Sequence, residues 1–114
     1  MKKTVMTKWV KALRSGRYKQ GKRRLKQDDR YCCLGVLCNI SKVSKWNKSG
    51  SYGRKGDREQ SALPECVAEW AGMKTQWGIY PGSDQMIGLA NLNDTQNYTF
   101  EQIADIIEKN YKDL

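Results

Sequence analysis

The densest apolar stretch of the chain runs from Tyr31 to Ile40, where eight of ten residues are apolar or cysteine. Ten such residues are long for a strand and short of the roughly 20 that a membrane span needs, so the pattern predicts a buried helix. Asp28 and Asp29 come just before it and suit the N-terminus of a helix. Gly35 within the stretch predicts a close crossing by a neighbouring element, because glycine lets another backbone approach.

Amphipathic helices are predicted on both sides of this central helix. Near the C-terminus, Thr99 and Gln102 have the spacing of a capping box. A shorter helix is predicted from Pro64 to Gly72, and Met86 to Leu92 reads as a short buried turn or helix. The apolar positions that recur at helical spacing are Val5, Met6, Trp9, Val10 and Leu13 near the N-terminus, before Gly16, and Phe100, Ile103, Ala104, Ile107 and Tyr111 near the C-terminus.

Two segments have the pattern of strands. Residues 17–27 are polar around a single leucine, so they predict an exposed strand or hairpin at a sheet edge, with Lys22, Arg24 and Lys26 in a row on one face. Residues 75–80 predict a second strand. Together the elements predict an α+β fold: three to four short helices around the buried central helix, with a small antiparallel sheet or hairpin. At 114 residues the chain is expected to form a single domain, residues 1–114.

Residues 41–61 form a connection rich in Ser, Gly and Lys, without helical or strand periodicity. A connection of this length inside a small domain is typically either functional or mobile. Trp46 and Tyr52 lie within it, among basic residues that include Arg54. Such a loop suits base stacking and phosphate neutralisation, although Trp46 packing back on the core is an equal alternative.

Positive charge is concentrated in one half of the chain. The net charge is +9; residues 1–60 contain 18 Lys or Arg and 4 acidic residues, whereas residues 61–114 contain 3 and 8. This asymmetry favours an anionic partner, although a solvated basic surface without a ligand gives the same pattern. No apolar segment follows the Lys-rich start, so no signal peptide is expected and the predicted location is the cytoplasm.

Catalytic chemistry has few candidates. The chain contains no histidine, which removes the usual general base and the commonest metal ligand. The spacing of Cys32, Cys33, Cys38 and Cys66 differs from that of zinc knuckles, so buried, reduced thiols are expected. Glu101, Asp105 and Glu108 are interpreted as a solvated helix face rather than a metal site. We therefore expect no enzyme activity, no metal and no cofactor.

Four segments resemble a group of small, mostly uncharacterised bacteriophage and prophage proteins. They run from Arg30 to Cys38, from Leu63 to Trp70, from Leu92 to Asp94 and from Thr99 to Asp105, and together contain 27 of the 114 residues. The resemblance implies a viral accessory protein that works in a bacterial cytoplasm, where such proteins often counteract host defence. Residues 41–61 lie outside the matching segments.

These observations lead to the hypothesis that the protein is not an enzyme and binds an anionic nucleotide-type ligand. In this hypothesis it acts as a counter-defence factor that sequesters a host signalling nucleotide. One alternative is a DNA- or RNA-binding protein that uses the same basic half. Another is an inhibitor that binds a host defence enzyme; a membrane partner is not expected. Cationic residues would bind phosphate and aromatic residues would stack on a base. The candidate ligand-binding residues are Lys22, Arg24, Lys26, Arg30, Trp46, Tyr52 and Arg54.

Overall fold

Five α-helices and three very short strands make up the fold. The computed structural model describes residues 1–114 and confirms the predicted α+β class, with four helices besides the central one. The helices surround one hydrophobic core of 27 buried residues, as expected for a single domain. Along the chain the elements are α1 (Lys3–Arg14), β1 (Lys19–Gln20), β2 (Lys26–Gln27), β3 (Arg30–Tyr31), α2 (Cys33–Ser41), α3 (Glu65–Ala71), α4 (Gly88–Asp94) and α5 (Phe100–Asn110).

The central helix, α2, begins later than predicted. Arg30 and Tyr31 form β3, and the helix starts at Cys33 after Cys32, whose thiol accepts a hydrogen bond from the Gly35 backbone N–H. The prediction that Asp28 and Asp29 cap this helix is therefore wrong, because they form the turn between β2 and β3. The helix is nonetheless central: it packs against α1, α3 and α4.

The close crossing predicted from Gly35 is confirmed. A Cβ atom at this position would lie 1.8 Å from the carbonyl oxygen of Leu25, and the Leu25 side chain is fully buried. Leu25 thus anchors the basic segment on the core, although its neighbours Arg24 and Lys26 are only partly buried. The position of both cations depends on this backbone contact.

The sheet differs from the predicted antiparallel arrangement. Its order is β1-β3-β2, with β1 parallel and β2 antiparallel to the central β3. Residues 75–80 are not a strand: Gly78 has a φ of 72°, which ends any extended run, and the segment packs against the start of α4 through bonds from the Leu89 N–H to the carbonyl oxygens of Trp77 and Gly78. β3, which was predicted to be part of the central helix, occupies the position in the sheet that was predicted for residues 75–80.

The two terminal helices follow the sequence pattern closely. α1 buries all five of its predicted apolar positions and α5 begins with the predicted capping box, in which Thr99 and Gln102 bond reciprocally. α1 and α5 make the most extensive helix contact in the molecule. None of the five helices combines the length and apolar character that crossing a bilayer requires.

Candidate functional site

Two adjoining cavities lie beside the β2–β3 turn. The first has a volume of about 240 Å³ and the second about 470 Å³, and no apolar residue lines either one. They share Arg24, Gln27 and Asp28. Asp28 is the one acidic residue of the lining. We call the five cations of these cavities the basic face: Lys22, Arg24, Lys26, Arg30 and Lys48.

Arg24 lies at the centre of the basic face because it lines both cavities. Its Nη2 donates a hydrogen bond of 2.7 Å to the carbonyl oxygen of Ser49, which ties the segment before β2 to the 41–61 loop. Its Nε atom is buried and has no acceptor in the protein. A buried donor without a partner is unfavourable. As a residue, Arg24 lines both cavities, and arginine is well suited to bind an anion there.

No cation of the basic face is neutralised by an acidic side chain within ion-pair distance. Lys22 bonds to the side-chain oxygen of Asn97, and Arg30 makes a long, 3.3 Å bond to the carbonyl oxygen of Gln20. Both partners are neutral and leave the positive charge uncompensated. No ion pair therefore joins the acidic C-terminal half of the chain to this face.

The acidic residues of α5 instead bind Arg14. The shortest of its three ion pairs joins Nη2 to Asp105 at 2.5 Å, and Glu101 and Glu108 lie at 3.3 and 3.5 Å. The hydrogen bond that Arg14 donates to Asp105 raises the pKa of Arg14, against the lowering effect of desolvation. The three carboxylates keep more than half of their side-chain surface exposed, as predicted for a solvated face, and they also pair with a cation of α1. The sequence spacing did not reveal this partner.

Lys26 belongs both to the basic face and to an aromatic cluster. Its Nζ lies 5.5 Å from the ring centres of Tyr31 and of Trp46, within the range of cation–π contacts. Tyr18 packs edge-on against Tyr31 at 5.0 Å, Tyr31 contacts Trp46 at 5.9 Å, and Trp46 contacts Tyr52 at 4.8 Å. These rings hold the lysine in place at the edge of the second cavity.

The structure corrects the role predicted for Tyr52. Its side chain is only 2% exposed, and its hydroxyl donates to the carbonyl oxygen of Ser44 while accepting from the Ser44 N–H. The ring is a core anchor and cannot stack on a ligand. Trp46 is half-buried, and its Nε1 donates to Asn39 at 3.0 Å. Its ring contacts Tyr31, Tyr52 and Lys26, so it supports the basic face by positioning Lys26.

The remaining candidate, Arg54, lies apart from the others. It is exposed in the turn of residues 54–57, where its backbone N–H bonds to the Asp57 carboxylate, and it lines neither cavity. Of the seven predicted residues, the structure brings Lys22, Arg24, Lys26 and Arg30 together.

Lys48 completes the basic face and was not among the predicted residues. The loop reaches β2 because Gly50, with a φ of 81°, has no side chain: a Cβ there would lie 2.2 Å from the carbonyl oxygen of Lys26. The side-chain oxygen of Asn47 accepts from the N–H groups of Ser49 and Ser51 and stabilises the turn. An Asn three residues before a Gly is a turn signal, but it does not indicate which strand the turn approaches.

The four cysteines are free and buried. Burial raises the pKa of Cys32 to about 12 and raises those of Cys33 and Cys38 well above the ordinary value. At neutral pH these thiols are protonated and act as small apolar groups. No cluster of three His, Cys, Asp or Glu side chains is arranged to hold a metal ion.

The fold and the site define a small basic α+β domain with an uncompensated cationic face. The chain belongs to the family described as a domain of unknown function, DUF8296, which it matches over residues 1–111. Comparison with curated proteins and with solved structures gave no match.

Proposed function

We propose that the protein binds the phosphate groups of a nucleic acid on the basic face, without catalysis. The observation that supports this most directly is the grouping of five cations around two adjoining polar cavities, where Asp28 is the one acidic residue and none of the cations forms an ion pair. Arginine and lysine in such an arrangement bind phosphate by charge and by hydrogen bonds.

The lining favours a polymer backbone over a single nucleotide at this face. Neither cavity has an apolar wall for a base, because Tyr52 is buried and the ring of Trp46 is engaged within the protein. A nucleotide would find partners for its phosphates alone. A nucleic acid chain presents successive phosphates and can occupy both cavities together.

The biological setting of this proposal comes from the resemblance to phage proteins. A phage accessory protein that covers nucleic acid in an infected bacterium could counteract a host defence that senses or cleaves it. This role needs tight binding and no turnover. It requires neither a cofactor nor a general base, in agreement with a chain that contains no histidine.

The proposal is tested by fluorescence anisotropy with labelled single- and double-stranded DNA and RNA over a range of salt concentrations. With about five phosphate contacts, log affinity should fall against log salt with a slope of about −4.5 for duplex and about −3.5 for single strands. The double variant Lys22→Glu/Lys48→Glu changes one cation in each cavity. We expect it to lose at least about tenfold in affinity.

The matched control carries the same change of charge elsewhere. Lys109→Glu/Lys112→Glu alters two exposed cations at the C-terminal end of α5 that line neither cavity. Its affinity should stay within about threefold of that of the wild type, since distant charges are screened by salt. Equal losses in the two double variants would mean that net charge alone attracts nucleic acid, and would contradict a site on the basic face.

A further inference from the structure

A groove between α1 and α2 shares no lining residue with the basic face. Its volume is about 760 Å³, inside the range of roughly 300–1,000 Å³ that is common for small-molecule sites. Unlike the basic face, it has an apolar wall, to which Tyr18, Ile40 and Trp70 contribute. The groove therefore offers a surface on which a planar, apolar group can pack.

The rim of the groove is positively charged. Lys8, Lys11, Arg17 and Lys42 line it, no acidic residue does, and none of the four cations forms an ion pair. α1 and α2 both end at the groove, so part of this charge complements their dipoles. Two helix C-termini together amount to about one negative charge. Four cations exceed that, and the excess attracts an anion.

Two aromatic side chains of the groove have hydrogen-bond donors that the protein leaves unused. The Tyr18 hydroxyl accepts a bond of 2.8 Å from Asn39 but donates to no protein acceptor. Trp9 and Trp46 donate their indole N–H groups to Cys33 and Asn39, whereas the indole of Trp70 has no acceptor. The groove is thus rich in donors, and its complement is a ligand rich in acceptors.

We propose that this groove binds a nucleotide, with its base against Tyr18 and Trp70 and its phosphates at the cationic rim. The aromatic base of a nucleotide can pack on the apolar wall, its acceptor atoms can bind the free donors, and its phosphates can bind the cations of the rim. The inference goes beyond the binding proposed for the basic face and does not depend on it. The nucleotide can be free or can be an unpaired nucleotide of a single strand.

The indole resonance of Trp70 provides a direct test. Protein labelled with ¹⁵N is titrated with ATP, and the Trp70 indole cross-peak is assigned with the Trp70→Phe variant. We expect this cross-peak to shift saturably while that of Trp9, which is fully buried and bonded to Cys33, stays in place. Inorganic tripolyphosphate carries the charge without the base. It should bind about tenfold more weakly, since base stacking contributes about 1–3 kcal/mol.

Variants test the cations of the groove. Lys11→Glu/Arg17→Glu should weaken ATP binding at the Trp70 resonance by at least about tenfold, whereas Lys109→Glu/Lys112→Glu, which makes the same change of charge away from the groove, should leave it within about twofold. A single-stranded thymidine decamer distinguishes a free nucleotide from an unpaired nucleotide of a strand as the natural ligand. If it displaces ATP from the groove at lower concentration than free nucleotides do, the natural ligand is a strand; if it does not, the ligand is a free nucleotide.

Three results would overturn the inference. The first is no saturable shift of the Trp70 resonance with millimolar ATP or with the decamer. The second is equal binding of tripolyphosphate and ATP, which would mean that the base is not recognised. The third is a glutamate-rich peptide that shifts the resonance at lower concentration than ATP, which would assign the groove to a protein partner. None of these bears on the basic face, whose own test replaces different cations.

Discussion

Cations from the N-terminal half of the chain have different roles at the contact between α1 and α5 and on the basic face. At the seam between α1 and α5, Arg14 is within 3.5 Å of three carboxylates. On the basic face, Lys22, Arg24 and Arg30 surround a cavity without forming any ion pair. The same kind of charge is therefore structural in one place and available to a ligand in the other. The count of charges along the sequence cannot distinguish the two.

The difference arises from which element each cation faces. Glu101, Asp105 and Glu108 follow one another at helical spacing on α5, and this face lies against the C-terminal end of α1. The basic face is built from β2, β3, the connection between β1 and β2, and the 41–61 loop, and α5 contributes no lining residue to it. Three acidic residues of the C-terminal half are thus used at the seam. Asp94 lies closer to the basic face, where its carboxylate accepts from the Arg23 N–H, but it lines neither cavity and forms no ion pair with the face.

The largest expected effect comes from breaking the support of the basic face. Gly35→Ala would place a Cβ 1.8 Å from the carbonyl oxygen of Leu25, a rigid backbone atom. The helix or the Leu25 segment must shift, and we expect the free energy of unfolding to fall by about 3 kcal/mol. Because Arg24 and Lys26 flank Leu25, nucleic-acid affinity should fall as well. Urea denaturation followed by circular dichroism measures the first effect and anisotropy the second.

Gly16→Ala is the control for this prediction. Its added Cβ meets no atom within 4 Å, and the cost is limited to the positive φ of 75°, about 1 kcal/mol. Gly16 follows α1, near the seam rather than the basic face, so affinity for nucleic acid should not change. If Gly35→Ala were no more harmful than Gly16→Ala, the close contact with Leu25 would not support the basic face.

The helices were predictable because their signals are local. The apolar stripes of α1 and α5, the capping box at Thr99, and the left-handed Gly72 after α3 each involve residues a few positions apart. The contact at Gly35 was predictable for a related reason: glycine inside an apolar helix leaves room for another backbone. The sequence could not indicate that Leu25 occupies that space.

The features that the sequence did not reveal depend on distant partners. The buried side chain of Asn93 accepts hydrogen bonds from the Cys33 N–H and from Gln20 and donates to the carbonyl oxygen of Gly21. Tyr52 was assigned to a ligand because of its basic neighbours, yet those neighbours point outward while its ring enters the core. A residue type indicates the bonds that it can make, but not the partner.

A smaller effect is expected from Asp57, which supports the loop on which the basic face depends. Its carboxylate accepts from the N–H of Arg54 and from the N–H of Cys66 at the start of α3. Desolvation raises the pKa of Asp57, but these hydrogen bonds outweigh it, and the net pKa lies below the ordinary value of 3.8. The stabilisation is therefore complete above the unfolded-state pKa and is lost as the pH falls through the folded-state pKa.

Asp57→Asn tests this dependence. At pH 7 we expect the variant to be about 1 kcal/mol less stable than the wild type, which is typical of a lost helix cap. The gap should close as the pH is lowered past the folded-state pKa of Asp57, because the wild type then loses its carboxylate too. Asp113→Asn, an exposed carboxylate near the C-terminus, should stay within about 0.5 kcal/mol of the wild type. A gap that does not change with pH would exclude the charge of Asp57 as the cause.

The substitutions with the smallest expected effects on stability, Arg14→Met and Lys22→Met, distinguish the seam from the basic face most directly. Arg14→Met removes the cation that faces three carboxylates and leaves those of Glu101, Asp105 and Glu108 to repel one another along α5. The pairs are partly exposed, so the expected loss of stability is about 1 kcal/mol or less, and it should shrink at high salt. Lys22→Met removes a cation without an acidic partner and should change stability by less than about 0.5 kcal/mol.

For nucleic-acid affinity the order of the two variants reverses. Lys22→Met should weaken nucleic-acid binding severalfold and reduce the salt slope by about one, while Arg14→Met leaves both nearly unchanged. If Arg14→Met lowered affinity as much as Lys22→Met, the carboxylates of α5 would not be neutralising Arg14, and the two regions would act as one diffuse positive surface.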